Sequence, residues 1–387
     1  MTIALTMIVK NEAHVIRRCL DSLKDYVDFI LIHDTGSTDG TIQTILKWAE
    51  ENDMDQAMFV YDATWQDFAH NRSLVMADLA RRFPEFDYGF MVDADNVFVP
   101  SVTPEEFRSQ LGSQEFFNVE VHTGIHAHTV PLIYRNRQTP YQYKGVLHEF
   151  LDRKGGTTGT TSGFHLDQIQ DSARNQNPRK YQDDAAVLVK ALATETDPQM
   201  RSRYQFYLAQ SYRDANELYL AVDAYEERAA LGGWDQEVFY CYLSIGRIFI
   251  GFANHPNANE EARDHYEAMA IDSFLRAYQA CPYRAESMHE LAQYYRSKGM
   301  WNLAFLYASI GVQIPVPPNP LFIRRDVYDW AMLDELAIAA FYTGKYPLAR
   351  ETNAMLLARW ERLPVEERPR IFKNLQLTNE KIHNTPS

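Results

Sequence analysis

The spacing of apolar residues changes character near residue 177. Before it, short β-branched and apolar runs alternate with stretches of helical spacing; after it, the spacing is helical throughout. Thr2 to Val9 is an apolar run broken by Lys10-Asn11-Glu12, and Ala13 to Leu23 then sets Val15, Ile16, Cys19, Leu20 and Leu23 at helical spacing. Val27 to Ile32 is a second run. It ends in His33-Asp34-Thr35-Gly36-Ser37-Thr38-Asp39-Gly40-Thr41, and a helix pattern follows from Ile42 to Glu50. Met58 to Tyr61 predicts another strand. Trp65-Gln66-Asp67 leads into a helix through Leu74, Met76 and Leu79 to Arg82, and Phe90 to Phe98 is a further strand that carries two carboxylates. Strand–helix alternation of this kind predicts a parallel sheet with ligands beyond the carboxyl ends of its strands. The loops at Lys10–Glu12 and His33–Thr41 both fall at that edge.

Glu115 to Tyr134 reads as strands, with Val119 and Val121 alternating with polar residues, and Gly155 to Gly163 is a Gly/Thr loop suited to a lid or a linker. From Asn177 on, small and large residues recur: Leu208, Ala209, Tyr212, Ala221 and Tyr225; then Ile245-Gly246, Phe249, Ala270 and Phe274; then Leu291-Ala292, Tyr295 and Ala304; then Leu336-Ala337 and Ala349. Ala270 and Ala304 are 34 residues apart, the period of a tetratricopeptide unit. Four degenerate repeats are expected, with an insertion around Gly251–Glu261 and the PVPPNP segment at 315–320 breaking the pattern before the last. Stacked helix pairs bury a shared core and leave a concave surface for partner binding or for a homodimer.

Composition narrows this. The chain has 387 residues, 46% apolar and 13% aromatic, enough for two or three packed domains. A net charge of −14 argues against general binding to nucleic acid or anionic membrane. Between Arg135 and Lys180, however, eight basic residues face four acidic ones, so either an anion is handled there or the stretch is a solvated loop face. Cys19, Cys241 and Cys281 are too scattered for a disulfide framework or a zinc site. The N-terminal run lacks a basic leader, and no stretch approaches the ~20 apolar residues of a membrane span. A soluble cytoplasmic protein is the expectation.

Candidate chemistry starts at Asp93 and Asp95. Carboxylates at i and i+2 of an extended chain point the same way, and they are good oxygen ligands for Mg²⁺ or Mn²⁺, which could hold the phosphates of a nucleotide. Two solvated turn residues give the same pattern. Asp34, Ser37, Thr38 and Asp39 crowd short oxygens into one glycine-flanked loop, which is also what a helix cap needs. Arg72, near a helix start, sits against the macrodipole preference and hints at an anionic partner; a surface ion pair explains it equally. His122, His126 and His128 cluster, but no cysteine or further ligand completes a metal signature. In Tyr141–Phe150 a His148-Glu149 pair precedes an apolar residue; Glu149 is the candidate general base and His148 the runner-up.

Ile8-Val9-Lys10-Asn11-Glu12, the Asp34–Thr41 loop, Phe68-Ala69-His70-Asn71-Arg72 and Val92-Asp93-Ala94-Asp95, in this order, resemble family 2 glycosyltransferases of the GT-A fold over residues 2–100. The resemblance implies a Rossmann-like α/β catalytic domain. In it Glu12, Asp34 and Asp39 contact base or ribose, Arg72 lies near the sugar or diphosphate, and Asp93 and Asp95 bind the metal. Two departures are Glu12-Ala13-His14 where members usually read Asn-Glu-Glu, and His70-Asn71-Arg72 where they often read Ala-Arg-Asn. Gly145 to Glu149 resembles the G-x-x-H-E segment of members fused to helical repeats, and His165 stands where related enzymes carry a histidine that completes the metal shell. The expected layout is a catalytic domain over 1–170, a connector over 171–200 and a repeat domain over 201–387. The implied activity is metal-dependent, inverting transfer from a nucleoside-diphosphate sugar, with UDP the expected nucleotide. The layout is similar to peptide S-glycosyltransferases of bacteriocin biosynthesis; a glycan, a lipid or a modified nucleobase is an open alternative acceptor. The rival expectation is a non-catalytic repeat scaffold carrying a degenerate transferase domain.

Overall fold

Strands that read as unbroken apolar runs are buried on both faces, as central parallel strands must be. In the computed structural model, which describes residues 1–124, 126–137, 141–318 and 320–384, they build the first of two units, Met1–Tyr207; the second is Leu208–Ser387. The first unit runs β1 (Ile3–Val9), α1 (Ile16–Leu23), β2 (Phe29–Asp34), α2 (Thr41–Glu51), β3 (Met58–Asp62), α3 (Phe68–Arg82), β4 (Tyr88–Met91), β5 (Asn96–Pro100), α4 (Pro104–Ser109), β6 (Phe116–Thr123), β7 (His126–Arg135), β8 (Gln142–Lys144), β9 (Phe150–Asp152), β10 (Thr158–Thr160), β11 (Phe164–Gln168), α5 (Lys180–Leu192) and the start of α6 (Pro198–Asp214). The main sheet has the order β3-β2-β1-β4-β7-β6-β11-β5, with β10 beside β6. Strands β3, β2, β1 and β4 are mutually parallel, while β7 runs against both β4 and β6.

Alternation within β1 and β2 sorts side chains to the two faces. Ile3, Leu5, Ile30 and Ile32 join Ile16, Leu20 and Trp48 in one apolar layer. Ala4 and Leu31 join Val75, Met76 and Leu79 of α3 in the other. Glycine is required at Gly89, where a Cβ would come within 2.2 Å of the Tyr134 ring.

Two expectations change here. Phe90 to Phe98 is not one strand: β4 ends at Met91 and β5 begins at Asn96. Between them the Asn96 amide donates to the Asp93 carbonyl at 3.1 Å, a turn that sends the chain from the middle of the sheet to its edge. Asp93 and Asp95 therefore leave a turn, not an extended strand. The Gly155–Gly163 segment is not a lid, since Thr158–Thr160 pairs with Phe116–Asn118 as β10. The expected connector over 171–200 holds the helix α5 and is grouped with the first unit, where Asp171 and Ala173 are tied to Arg18 and Glu12.

The second unit is all helical, with no strand among the described residues: α7 (Leu218–Ala230), α8 (Asp235–Ala253), α9 (Glu260–Ala280), α10 (Glu286–Ser297), α11 (Trp301–Gly311), a π-helical turn at Val327–Ala331, α12 (Met332–Tyr342), α13 (Tyr346–Ala358) and α14 (Arg368–Asn384). Each helix from α7 on packs against the next, and α10, α12 and α14 also pack in sequence, the nearest-neighbour stacking of a tetratricopeptide-like repeat. The small-and-large pattern is a packing requirement: a Cβ on Gly246 would lie 2.4 Å from the Phe274 ring. The insertion around Gly251–Glu261 lengthens α8 and α9 and turns the chain between them.

His289 on α10 is 1% exposed, and neither ring nitrogen has a hydrogen-bond partner. Burial first, then the nearby Arg324, pushes its pKa from 6.5 down to about 3. Because the folded value lies below the unfolded one, the stability contribution is complete above pH 6.5 and is lost as pH falls toward 3. The raised carboxyls of Asp334 and Glu335, buried first of all, oppose that trend. We expect His289→Leu to remove about 2–3 kcal/mol of the stability lost between pH 7 and 4.5, as read from urea unfolding at each pH. An unchanged pH slope would show that His289 is not the titrating group.

Candidate active site

Two loops at the carboxyl edge of the sheet lock onto each other. Asn11, with φ 60°, ends β1; its amide donates to Ser37 Oγ at 2.8 Å, and its side-chain oxygen accepts from the Thr38 amide at 2.8 Å. The Glu12 amide donates to Thr41 Oγ1 at 2.8 Å and the Ala13 amide to Asp39 Oδ2 at 3.1 Å. Asp39 Oδ1 accepts from the Thr41 amide at 3.0 Å. Both Asp39 oxygens are thus taken up in holding the loop at the start of α2. Asp34 differs. Its Oδ1 accepts from the Gly36 and Ser37 amides at 2.9 and 2.8 Å, whereas Oδ2 is buried without a partner.

The second cluster is ionic. Asp67 caps α3 by accepting from the His70 amide at 2.7 Å, and buried Asn71 ties down the preceding loop through Gln66 and Thr64. One turn in, Arg72 is turned inward rather than to solvent. Its Nε donates to Glu149 Oε1 at 2.6 Å and its Nη2 to Asp93 Oδ1 at 2.7 Å, with the guanidinium 5.7 Å from the Tyr143 ring. Glu149 is delivered by a strained loop. Gly145 has φ 106° and His148 φ 50°; the His148 ring stacks on Tyr207 at 3.8 Å, and Arg203 donates to the His148 carbonyl at 2.6 Å. The His148 ring is thereby committed to α6.

Asp95 is 4% exposed. Burial, then the neighbouring Asp93 charge, holds its carboxyl above the usual range. Glu12 sits in the same field: burial, only partly offset by the Ala173 amide, and then Asp95 push it up to about 7. The three carboxylates share one field without converging as a three-ligand set, and of the three only Asp93 is paired with Arg72. The Asp93–Asp95 pair offers oxygen donors of the kind a hard dication takes.

His165 lies elsewhere. On β11 it pairs with Val99 of β5, while Gln168 pairs with Asn96. That register sets it roughly 13 Å along the strand from Asp95. The structure brings it together with His122 and Asp167 instead. Sequence reasoning missed Ser172, Ala173 and Asn175, which close over Asp95 and Glu12; two short polar side chains and one backbone amide carry no pattern of their own. In the basic stretch over 135–180, Arg135 is paired with Tyr88, Arg137 with Glu115, Lys144 with Asp152 and Arg174 with Asp184, three of these four partners lying outside the stretch.

The Glycosyl transferase family 2 model matches residues 5–107. Glycosyltransferase SunS, in its forms from Bacillus subtilis (strain 168) and from Bacillus phage SPbeta, is 29% identical over 97 residues, 25% of this chain. The chain spans 21% of the length of these curated relatives. Among solved structures, the mannosyltransferase PcManGT from Pyrobaculum calidifontis in complex with GDP-Man and Mn²⁺ is 15% identical with a TM-score of 0.34, covering 71% of this chain and 86% of that one. TTC0263, a thermophilic TPR protein of Thermus thermophilus, is 15% identical with a TM-score of 0.34, covering 51% and 91%. Overlaps this loose carry no weight for ligand or mechanism. The first unit of this chain carries a glycosyl transferase family 2 domain, and the Asp34 loop, Arg72 and the Asp93–Asp95 pair all lie inside it.

Proposed function

We propose that the protein is a metal-dependent, inverting glycosyltransferase that uses a nucleoside-diphosphate sugar. The observation that carries this is Arg72, which joins Asp93 of the metal-binding pair to Glu149, the candidate base, at the carboxyl edge of the sheet. The unpartnered Oδ2 of Asp34 would accept a hydrogen bond from the base or ribose, a buried acceptor being costly to leave unmatched. UDP is the nucleotide expected there. Asp39 shapes that pocket through its bonds to Thr41 and Ala13.

Asp93 and Asp95 would hold Mn²⁺ or Mg²⁺, which when bound supplies positive charge to the departing diphosphate. Arg72 adds a second positive charge on the same side. Glu149 accepts from Arg72 through Oε1 alone, which leaves Oε2 to take the acceptor's proton as it attacks the anomeric carbon. Inversion follows from that single displacement. The helical unit is our candidate for acceptor binding or self-association. Peptide, glycan, lipid and modified nucleobase acceptors all meet the same base.

The test is incubation of the full chain with Mn²⁺ and a panel of nucleotide sugars. Slow donor hydrolysis with one nucleotide class, and a thermal shift with the same donor, are expected. No hydrolysis and no shift with any donor would leave the scaffold reading in its place. No described helix is long and apolar enough to cross a membrane.

A further inference from the structure

The three histidines of the β6–β7 hairpin do not form one group. His128 pairs with Val121 and so shares that residue's face, whereas His122 points to the other; the His126 side chain lies outside the described residues. His122 instead finds its neighbours on β11. Asp167 stands directly across from it in the parallel ladder. His165, two residues before Asp167, lies on the same face.

The three bring their donor atoms close together. His165 Nε2 is 3.2 Å and His122 Nδ1 3.8 Å from Asp167 Oδ1, and the two rings stack at 4.0 Å. All three ligand atoms lie within 4.8 Å of one another. Tetrahedral Zn²⁺ with bonds of about 2.0–2.2 Å would separate its donors by roughly 3.3–3.5 Å; because an imidazole lone pair lies in its ring plane, the two rings must also turn out of their stack to aim at one ion. The far nitrogen of His122, Nε2, is 2.9 Å from Glu120 Oε1. If Nε2–H donates there, Nδ1 turns its lone pair toward Asp167. A metal-bound imidazole is oriented in just this way by a carboxylate behind it. Among the described residues, neither Asp167 nor Glu120 pairs with a lysine or arginine. The side chains are 26–41% exposed, open enough for an ion to enter. Val97 and Val99 face them from β5 and Ala127 from β7, so no cation from those strands competes.

We propose that His122, His165 and Asp167 form a second metal site, for a borderline divalent transition ion of the Zn²⁺ class, with Glu120 as the positioning residue. Two imidazoles and one carboxylate favour such an ion over the hard cations suited to Asp93 and Asp95. Three protein ligands leave a position for water.

The site stands apart from the proposed transferase centre, and its test needs no turnover. The full chain, stripped with a chelator and dialysed, is titrated with Co²⁺ at pH 7.5 while visible ligand-field absorption is recorded, and Zn²⁺ is then added as competitor. We expect a visible Co²⁺ band that Zn²⁺ bleaches, whether or not further Co²⁺ enters the Asp93–Asp95 site. His165→Ala and Asp167→Asn should abolish the band, and Glu120→Gln should weaken binding by about 10–100-fold with the ligand set intact. Asp95→Ala should leave the band in place. Absence of the band in the parent chain, its survival in His165→Ala, or its loss in Asp95→Ala would each overturn the proposal. Circular dichroism and thermal unfolding of the variants confirm that each is folded.

Discussion

Asp95→Ala should reduce metal-dependent donor hydrolysis by about 10²–10³-fold, as expected when a few kcal/mol of charge stabilisation is withdrawn. The same substitution should leave thermal stability unchanged or raise it when no metal is added. Asp95 is buried beside Asp93 and Glu12, and removing one of several crowded negative charges relieves repulsion. A carboxylate placed only to hold the loop would behave the other way. Its loss would orphan the Asn175 side chain, which approaches Asp95 Oδ2 at 3.5 Å, and would lower the melting temperature while donor chemistry survived. Activity and stability, measured together on one preparation, separate the two roles. Donor binding that stays equally Mn²⁺-dependent in Asp95→Ala would remove the metal assignment.

The second large effect concerns the base. Glu149→Gln keeps an oxygen that can accept from Arg72 Nε but cannot take up a proton. We expect transfer to the acceptor to fall by about 10²–10⁴-fold while donor affinity holds. His148→Gln is the control, since that ring is stacked on Tyr207; its loss should cost far less. A reversal of these two outcomes would make His148 the base. If Glu149→Gln loses donor binding as strongly as rate, Glu149 serves to position Arg72 instead.

Much of the first unit is legible in the sequence because its signals are local. The apolar runs at Thr2–Val9 and Val27–Ile32 are both strands, displaced by at most two residues, since strands buried on two faces leave continuous apolar stretches. The Asp34 loop is readable because glycines and short polar side chains have specific backbone uses. The Phe90–Phe98 run reads as one strand and folds as two. Its composition favours extended backbone on either side of Asp93, and only the Asp93–Asn96 turn shows that the halves belong to different parts of the sheet. The Gly/Thr segment departs from expectation for a related reason: its composition implies flexibility, and pairing with β6 overrides it.

Local periodicity alone was enough to establish a strand–helix half, a repeat half, and the carboxylate-rich loops at the strand ends, because those features depend on residues close in sequence. What depends on distant residues was left to the folded chain. Arg72 meets Glu149 across 77 positions, and Ala173 reaches Glu12 across 161. His165, placed by motif beside Asp93 and Asp95, is carried by strand register to His122 and Asp167. The β11–β5 ladder fixes that position through backbone hydrogen bonds, and the spacing of the side chains along the chain does not encode it.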